Sequence, residues 1–314
     1  MGTILISAAA TERIAEVFAA MAPHHSLLIC HSSMAHDEIA DIEIAYFSSD
    51  LWPVGYRQFL AVAQQANDLR WFHSMSAGVD SPIFGALRDR GVRVTTSSGS
   101  SALPIAQTVL LYVLALNKGL PAWMDAQRRN AWEPHSRSDL DGSRMVVVGM
   151  GPIGMHVARL AQAFAIDVVG VRRTVMGDEP CHTVSFAALD EELAHADHVV
   201  LALPLTDDTR LMFNGSRLAQ IKPGAVLINV GRGELVDEAA LISALTTGHL
   251  AGAGLDVFHT EPLPAESPLW SMANVIVTPH NSGAVSGNAA RVDQMFLANL
   301  ARWVHSQPLL NEIT

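Results

Sequence analysis

Short apolar runs alternate with helical patterns along the whole chain. In the first third, the runs that favour β-strands lie at 3–7, 27–31, 43–47, 69–73 and 92–95. Six further runs follow at 145–149, 167–171, 198–203, 225–230, 251–257 and 275–278. Strands that are apolar throughout and alternate with helices are typical of parallel sheets covered on both faces. The pattern predicts an α/β protein with two doubly wound parallel-sheet domains.

Two small polar stretches divide this pattern. Residues 97–101 and 282–284 are rich in serine and glycine and interrupt the apolar spacing, which is typical of hinges. A chain of 314 residues is also long for a single core. We therefore predict one domain from 1–98 and 284–314, and a second domain from 99–283 inserted into it.

The most apolar stretch, 109–116, is too short to span a bilayer. It predicts a buried helix that is apolar nearly all round, so that the rest of the chain or a second subunit must cover it. A homodimer is one way to provide that cover.

Composition and net charge limit the classes of binding partner that the chain is expected to have. With 31 acidic and 20 basic residues the net charge is -11, which argues against a nucleic-acid or anionic-membrane surface and favours small molecules. The amino terminus has no basic leader, and the only cysteines, Cys30 and Cys181, suit a reducing cytoplasm. The 14 histidines lack the spacing of metal ligands, so we expect no metal site and a cytoplasmic protein.

A glycine turn follows the strand at 145–149. The sequence Gly149-Met-Gly151-Pro152-Ile153-Gly154 joins this strand to a helical pattern, as in a βαβ unit that binds a dinucleotide. A helix that begins there directs backbone N–H groups and its positive dipole end at one point, which suits a pyrophosphate.

Three side chains of catalytic type follow later strands of the same predicted sheet. Arg232 stands between two glycines after the run at 225–230, and a guanidinium can bind a carboxylate through two parallel hydrogen bonds. Glu261 and His280 follow the next two runs. A histidine that a carboxylate keeps oriented and protonated can give a proton to a carbonyl oxygen. This set is what hydride transfer to a 2-keto acid requires.

Several motifs in the same order make the chain resemble the D-isomer-specific 2-hydroxyacid dehydrogenases over nearly its whole length. They are Ser76-Ala-Gly-Val-Asp80, the glycine turn, Leu203-Pro-Leu-Thr206 with Thr209, Asn229-Val-Gly-Arg-Gly233, Leu255-Asp-Val-Phe258 with Glu261-Pro-Leu-Pro264, and Thr278-Pro-His280. The resemblance implies that Arg232, Glu261 and His280 are catalytic. It also implies a Rossmann cofactor domain inserted into a flavodoxin-like substrate domain, with an active-site cleft between the two that closes on binding.

The resemblance further assigns the binding residues. Ser76, Ala77 and Gly78 belong to the substrate site together with Arg232, and the backbone of Ala77 and Gly78 receives the substrate carboxylate. Asp256 contacts the nicotinamide carboxamide. The predicted cofactor residues in all are Gly149, Gly151, Pro152, Ile153, Gly154, Leu203, Pro204, Thr209, Val230, Gly231 and Asp256, together with Arg172, Arg173 and Thr174, which are assigned on the separate argument that follows.

The chain departs from the family pattern after the second strand of the cofactor domain. An NAD enzyme carries an acidic residue near position 172 to bond the ribose 2′-hydroxyl, whereas this chain has Arg172-Arg173-Thr174. Two cations and a hydroxyl would attract a 2′-phosphate, and no carboxylate is there to repel it, so we expect NADPH in preference to NADH. Gln107 and Asn281 also depart from the pattern without removing a catalytic group.

The substrate stays open at this point. The residues expected to bind the 2′-phosphate end of NADPH resemble those of glyoxylate and hydroxypyruvate reductases. A larger branched or aromatic keto acid would be favoured if the pocket, and not the core, were lined by Trp52, Met75, Trp123 and Trp132. His73 is a further candidate for substrate contact, with core packing as the alternative.

A dinucleotide-sensing, corepressor-like scaffold is the alternative from another functional class. The lack of basic segments and of long disordered tails argues against it. A formate-type dehydrogenase is disfavoured because relatives of that type resemble this family with glutamine in place of Glu261.

Overall fold

Two separate parallel sheets organise the chain. The computed structural model describes residues 2–31, 34–78 and 81–313. The chain divides into unit 1, Met1–Ser100 with Val285–Thr314, and unit 2, Ser101–Ala284. The predicted boundaries were 98/99 and 283/284, whereas the units meet at 100/101 and 284/285. The assignment of substrate and cofactor binding to these units stays a prediction.

The elements are numbered here in chain order. Unit 1 begins with β1 Thr3–Ile6, α1 Ala8–Met21, β2 Ser26–Ile29, α2 His36–Ala40, β3 Ile42–Phe47, α3 Tyr56–Gln65, β4 Trp71–Ser74, α4 Pro82–Asp89 and β5 Arg93–Thr96. Unit 2 contains α5 Ala102–Lys118, α6 Leu120–Arg128, β6 Arg144–Val148, α7 Pro152–Gln162, β7 Asp167–Val171, β8 His182–Val184, α8 Leu189–Leu193, β9 His198–Leu201, α9 Gly215–Gln220, β10 Ala225–Asn229, α10 Glu238–Thr246, β11 Leu250–Leu255 and β12 Val275–Val277. The chain returns to unit 1 with α11 Asn288–Val304. Short 3₁₀ turns lie at Ser49–Leu51, Phe186–Ala188, Gly233–Leu235 and Pro268–Trp270.

The sheet of unit 1 has the strand order β2-β1-β3-β4-β5, and all its strands are parallel. Successive residues of a strand face opposite sides, and here both sides are buried. Leu5 and Phe72 join one core layer with α3 and α4, whereas Ile4 and Trp71 join the other with α1 and α11. This explains why the central strands β1 and β3 are largely apolar, and the order is that of a flavodoxin-like doubly wound domain.

The sheet of unit 2 has seven parallel strands in the order β12-β11-β10-β9-β6-β7-β8. Val147 and Val200 pack on one face with α5 and α7, and Val146 and Leu201 pack on the other face with α8, α9 and α10. The sequence predicted six of these strands. It missed β8, a three-residue edge strand, because a run of this length has no clear apolar period.

Each sheet has one point at which the strand order reverses. In unit 2 it lies between β6 and β9, since the chain builds outward from β6 to β8 and then returns to the other side of β6. Ligands of open parallel sheets bind beyond the carboxyl ends of the strands at such a point. The predicted glycine turn follows β6, so it lies at this position.

The predicted buried helix is α5, and one side of it is not covered by the described part of this chain. Val109, Tyr112 and Val113 are buried in the core, but the side chain of Leu111 is 56% exposed. In the described residues no single helix has the length and apolarity to cross a bilayer; α5 and α6, with a bend of 65° between them, meet those two criteria only as a pair.

Candidate active site

The glycine turn after β6 requires glycine at two positions. Gly149 has a φ of 107°, and a Cβ there would lie 2.5 Å from the carbonyl oxygen of Ala202 beyond β9. A Cβ on Gly154 would overlap the carbonyl oxygen of Gly149, so α7 can lie this close to the turn only with glycine. At Gly151, which caps α7, a Cβ would meet no atom within 4 Å. The helix therefore begins at an open backbone position, as an incoming phosphate group needs.

A cavity of about 420 Å³ lies at this turn in unit 2. Its walls come from the loops after β6, β7 and β9, with Phe186 beside them, and consist of Gly149, Met150, Gly151, Arg172, Arg173, Thr174, Phe186, Ala202, Leu203, Pro204, Thr206 and Thr209. Eight of the predicted cofactor residues are thus brought together. The others, Pro152, Ile153, Gly154, Val230, Gly231 and Asp256, are not part of its lining. The open cradle at Gly151 and the cations after β7 fit a phosphorylated dinucleotide.

Arg172 is held by a carboxylate that the sequence analysis did not identify. Its Nη1 atom donates to Oε1 of Glu179 at 2.6 Å, and Asp178 lies 3.9 Å away. The expectation that no carboxylate stands near this arginine is therefore wrong. The loop after β7 turns back so that Glu179, seven positions along the chain, reaches the guanidinium, and no sequence signal marked that return. Arg173 pairs with Asp208 at 3.2 Å, with both side chains exposed.

Thr209 supports the loop after β9. Its hydroxyl donates to the carbonyl oxygen of Pro204 at 2.8 Å and accepts the N–H of Thr206 at the same distance. The side chain is buried and fixes the turn that carries Leu203 and Pro204 along the cavity.

Glu261 and His280 form a hydrogen-bonded pair in unit 2. The Nδ1 atom of His280 lies 2.8 Å from Oε2 of Glu261, and Oε1 of Glu261 accepts the N–H of Phe258 at 3.0 Å. The His280 backbone N–H donates to the carbonyl oxygen of Asp256 at 2.8 Å. Both side chains of the pair remain accessible, with exposures of 49% for His280 and 36% for Glu261. A carboxylate can only accept, so Nδ1 carries a proton and the other ring nitrogen, Nε2, is the one that can serve a substrate.

Asp256 is buried beneath this pair, with an exposure of 1%. Its Oδ1 atom accepts the hydroxyl of Thr278 at 2.5 Å and the N–H of Asn281 at 3.0 Å, and Oδ2 accepts the N–H of Ser282 at 3.0 Å. Tyr112 extends the network to Thr278, and burial raises the pKa of its phenol to about 12. Asp256 therefore holds the loop on both sides of His280. This role was not apparent in the sequence, where Asp256 was assigned only to the cofactor.

Arg232 lies in a turn that Asn229 holds in place. The amide of Asn229 donates to the Arg232 carbonyl oxygen at 2.9 Å and accepts the N–H of Gly231 at 3.0 Å. The guanidinium is half-buried, and its Nη1 donates to the Gly231 carbonyl oxygen at 2.7 Å. At Gly233 a Cβ would overlap the carbonyl group of Phe258. The arginine turn is therefore packed against the segment whose N–H orients Glu261.

The predicted substrate segment in unit 1 rests on a buried polar network. The Ser76 hydroxyl donates to the Gly78 carbonyl oxygen at 3.0 Å, and the Ser76 carbonyl oxygen accepts the N–H of Ser97. His73 lies beneath, with its ring nitrogens 2.7 Å from the hydroxyl of Thr95 and 3.1 Å from that of Ser97. It is fully buried, and burial lowers its pKa to about 3, so it is a core residue. Val79 and Asp80 of this motif lie outside the described residues.

The aromatic candidates for a larger pocket are on the surface. Trp52 and Trp123 are exposed, and Trp132 is 96% exposed, so these three belong to neither the core nor the cofactor cavity of unit 2.

Both cysteines are half-buried against core clusters. Within residues 2–31, 34–78 and 81–313, no three side chains of His, Cys, Asp or Glu are arranged to hold a metal ion.

Comparison with known proteins identifies the family. The model for "D-isomer specific 2-hydroxyacid dehydrogenase, NAD binding domain" matches residues 110–282. D-3-phosphoglycerate dehydrogenase from Mycobacterium tuberculosis is 38% identical over 206 residues, and the match covers 65% of this chain but only 39% of that longer protein. Glyoxylate/hydroxypyruvate reductase B from Pectobacterium carotovorum is 36% identical over 228 residues, 70% of this chain and 71% of the relative.

A solved structure extends the likeness to the whole fold. The D-isomer specific 2-hydroxyacid dehydrogenase from Xanthobacter autotrophicus Py2, solved in complex with NADPH and MES, is 32% identical. It superposes with a TM-score of 0.80 over 100% of this chain and 98% of that one. The chain belongs to the D-isomer specific 2-hydroxyacid dehydrogenase family.

Proposed function

We propose that this chain reduces a small 2-keto acid, such as glyoxylate or hydroxypyruvate, to the D-2-hydroxy acid with NADPH. The observation that carries the proposal is the 2.8 Å pair of His280 and Glu261 in the same unit as the glycine-turn cavity. An accessible histidine oriented by a carboxylate is a proton donor for a carbonyl oxygen. Family membership supports the reaction class.

Three side chains have separate roles in the proposed reaction. Arg232 binds the substrate carboxylate, and the resemblance adds the backbone of Ala77 and Gly78, with Ser76 as the residue that fixes their turn. His280 gives its Nε2 proton to the carbonyl oxygen, and Glu261 stabilises the imidazolium before that transfer. A nicotinamide cofactor, when bound, supplies the hydride that reaches the carbonyl carbon.

For the cofactor we propose NADPH over NADH. Arg172, Arg173 and Thr174 line the cavity and offer two cations and a hydroxyl to a 2′-phosphate. The Xanthobacter relative was solved with NADPH, which supports the same choice here. Gly149, Gly151 and Gly154 with Pro152 and Ile153 form the pyrophosphate turn. Leu203, Pro204, Thr209, Val230, Gly231 and Asp256 complete the proposed cofactor contacts.

The double variant Arg172→Asp/Arg173→Ala tests this choice. It should shift the ratio of kcat/KM values toward NADH by at least tenfold. An unchanged ratio would contradict the cofactor assignment without affecting the reaction class.

The reaction itself is tested by following nicotinamide absorbance. Purified protein is mixed with NADPH or NADH and with glyoxylate, hydroxypyruvate or phenylpyruvate, and the product is resolved into its enantiomers. We expect turnover of the small keto acids to the D-product. Preferred turnover of phenylpyruvate would favour the larger substrate class, and no turnover of any keto acid would exclude the enzyme proposal.

We also propose that the chain forms a homodimer through α5 and α6 and acts in the cytoplasm. Leu111, Leu120 and Met124 are exposed along these helices, and Trp270 lies beside them in the same groove. The rim of this groove carries both signs of charge, with Asp125 and Arg128 among its residues. A second copy related by a two-fold axis can therefore place its acidic side chains against the basic side chains of the first copy. Leu111→Glu should convert the dimer to a monomer in light scattering, and a wild-type monomer would exclude the proposal.

A further inference from the structure

The side chain behind Arg172 bears on the cofactor choice proposed above. Glu179 accepts the Nη1–H of Arg172 at 2.6 Å, and the same carboxylate accepts the N–H groups of Met176 at 2.9 Å and Gly177 at 2.8 Å. Its side chain is 2% exposed, whereas that of Arg172 is 27% exposed. Glu179 is therefore held in the loop after β7 by three hydrogen bonds, and little of its side chain is accessible to water.

Arg172 stands between this carboxylate and the cavity. Arg172 is part of the cavity wall, and Glu179 is not among the lining residues. Arginine has five N–H donors, so the bond to Glu179 leaves others for a phosphate. Glu179 thus acts on a bound cofactor through Arg172 and through its own charge, without touching the cofactor.

The charge of Glu179 persists at every working pH. The N–H of Met176, together with Arg172 and Gly177, holds the pKa of this carboxyl at about 2. A 2′-phosphate on Arg172 would therefore meet a guanidinium whose positive charge is already balanced by a neighbouring anion. Charges that are enclosed by protein are screened less by salt and water than exposed ones.

The other acidic groups near the arginines are exposed. Asp178 lies 3.9 Å from Nη1 of Arg172 with an exposed side chain, and Asp208 pairs with Arg173 on the surface. Solvent weakens their effect on a phosphate much more than it weakens that of Glu179. Among these three carboxylates, Glu179 is the one that opposes a 2′-phosphate most strongly.

We propose that Glu179 is a specificity-determining residue that limits the preference of this site for the 2′-phosphate of NADPH. The inference rests on the proposed cofactor site at Arg172 and Arg173. On this inference one of the two cations that face a 2′-phosphate is offset by a carboxylate from within the loop after β7. Removal of the negative charge at Glu179, with its shape kept, strengthens binding of NADPH and leaves NADH nearly unchanged.

The test is isothermal titration of the purified protein with NADPH and with NADH, without substrate. Glu179→Gln keeps an amide oxygen that can accept from the loop and from Arg172. We expect its Kd for NADPH to fall about fivefold and its Kd for NADH to stay within twofold of wild type. Asp178→Asn is the matched control: it makes the same charge change beside the same guanidinium in an exposed position, and both Kd values should stay within twofold.

A second background keeps the test valid if Glu179→Gln does not fold. The double variant Arg172→Gln/Glu179→Gln replaces the ion pair by an amide pair, and it should bind NADPH at least fivefold more tightly than Arg172→Gln alone. If Glu179→Gln folds and leaves the NADPH to NADH ratio unchanged or lowers it, the inference is overturned. The same holds if the two Arg172→Gln proteins bind NADPH equally.

The cofactor proposal fails in a different way. If wild type prefers NADH and Glu179→Gln still shifts the ratio fivefold toward NADPH, Glu179 keeps the inferred role and only the stated cofactor preference is lost. If wild type binds neither dinucleotide, both are overturned.

Discussion

The Nδ1 atom of His280 lies 2.8 Å from Oε2 of Glu261, and the second oxygen of that carboxylate is tied to the backbone N–H of Phe258. The backbone therefore holds the carboxylate in place against the imidazole, and Nε2 is the ring nitrogen that the proposed reaction would use for proton transfer. Since Gly233 packs against Phe258, the loop of Arg232 is linked to the same support.

Loss of the histidine should remove most of the reaction rate. For His280→Ala we expect kcat to fall at least about 100-fold, the range associated with a positioned proton donor. Glu261→Gln should lower kcat at least about tenfold, because an amide cannot stabilise the imidazolium. Steady-state kinetics with the preferred keto acid gives both values. The Kd for NADPH should stay within twofold; a large loss of cofactor binding would contradict the assignment of His280.

The glycine turn allows a sharp stability test. A methyl group at Gly154 would overlap the carbonyl oxygen of Gly149, so Gly154→Ala should lower the free energy of unfolding by about 1–3 kcal/mol and weaken NADPH binding. Urea denaturation and isothermal titration measure these effects. Gly85 in α4 is the control, because a Cβ there meets no atom within 4 Å and Gly85→Ala should be neutral or stabilise by about 0.5–1 kcal/mol. Equal effects of the two substitutions would contradict the packing argument.

Asp256 should affect stability and rate together. In Asp256→Asn an NH₂ group replaces one carboxylate oxygen. Because an NH₂ group cannot accept a hydrogen bond, the side chain no longer accepts hydrogen bonds through both of its terminal atoms from Thr278, Asn281 and Ser282. We expect a loss of about 1–3 kcal/mol in the free energy of unfolding and a lower kcat, because the loop around His280 loosens. Asp237→Asn makes the same chemical change at the N-cap of α10, where asparagine caps equally well, and should do neither. Wild-type kinetics in Asp256→Asn would exclude the positioning role.

Buried histidines should make the protein sensitive to acid. Burial lowers the pKa of His198 from 6.5 to about 4, and neither ring nitrogen has a hydrogen-bond partner among the described residues. The unfolded chain binds this proton from pH 6.5 downward and the folded chain only near pH 4. The free energy of unfolding therefore decreases as the pH is lowered from 6.5 to about 4, by about 1.4 kcal/mol per pH unit for this group.

The measurement is the urea midpoint at pH 7, 6 and 5. His198→Gln should show a shallower loss of stability with falling pH than wild type, while His73, which burial also affects, still contributes in both proteins. His135→Gln, at an exposed position, should have the wild-type slope. Identical slopes in wild type and His198→Gln would show that His198 is not held neutral in the folded state.

The sequence by itself determined the class of fold and named the candidate side chains for the chemistry. Strands such as β1 and β6 are apolar at every position after the first because both faces of a parallel sheet are covered, and this leaves a clear signal. The glycine turn was readable since only glycine fits at Gly149 and Gly154. Arg232, Glu261 and His280 were found because each follows a strand, and the carboxyl ends of parallel strands lie at one edge of a sheet.

The tertiary structure alone decided which side chains meet. Glu179 was not foreseen because its contact with Arg172 depends on the path of an irregular loop, which has no periodicity to read. Asp256 supports the loop of His280 through hydrogen bonds to residues more than twenty positions away. The exposed tryptophans were expected in the core or a pocket, because hydrophobicity describes a residue and not the surface that covers it. Local patterns fix where elements form, but contacts between loops follow only from how the packed elements bring distant backbone together.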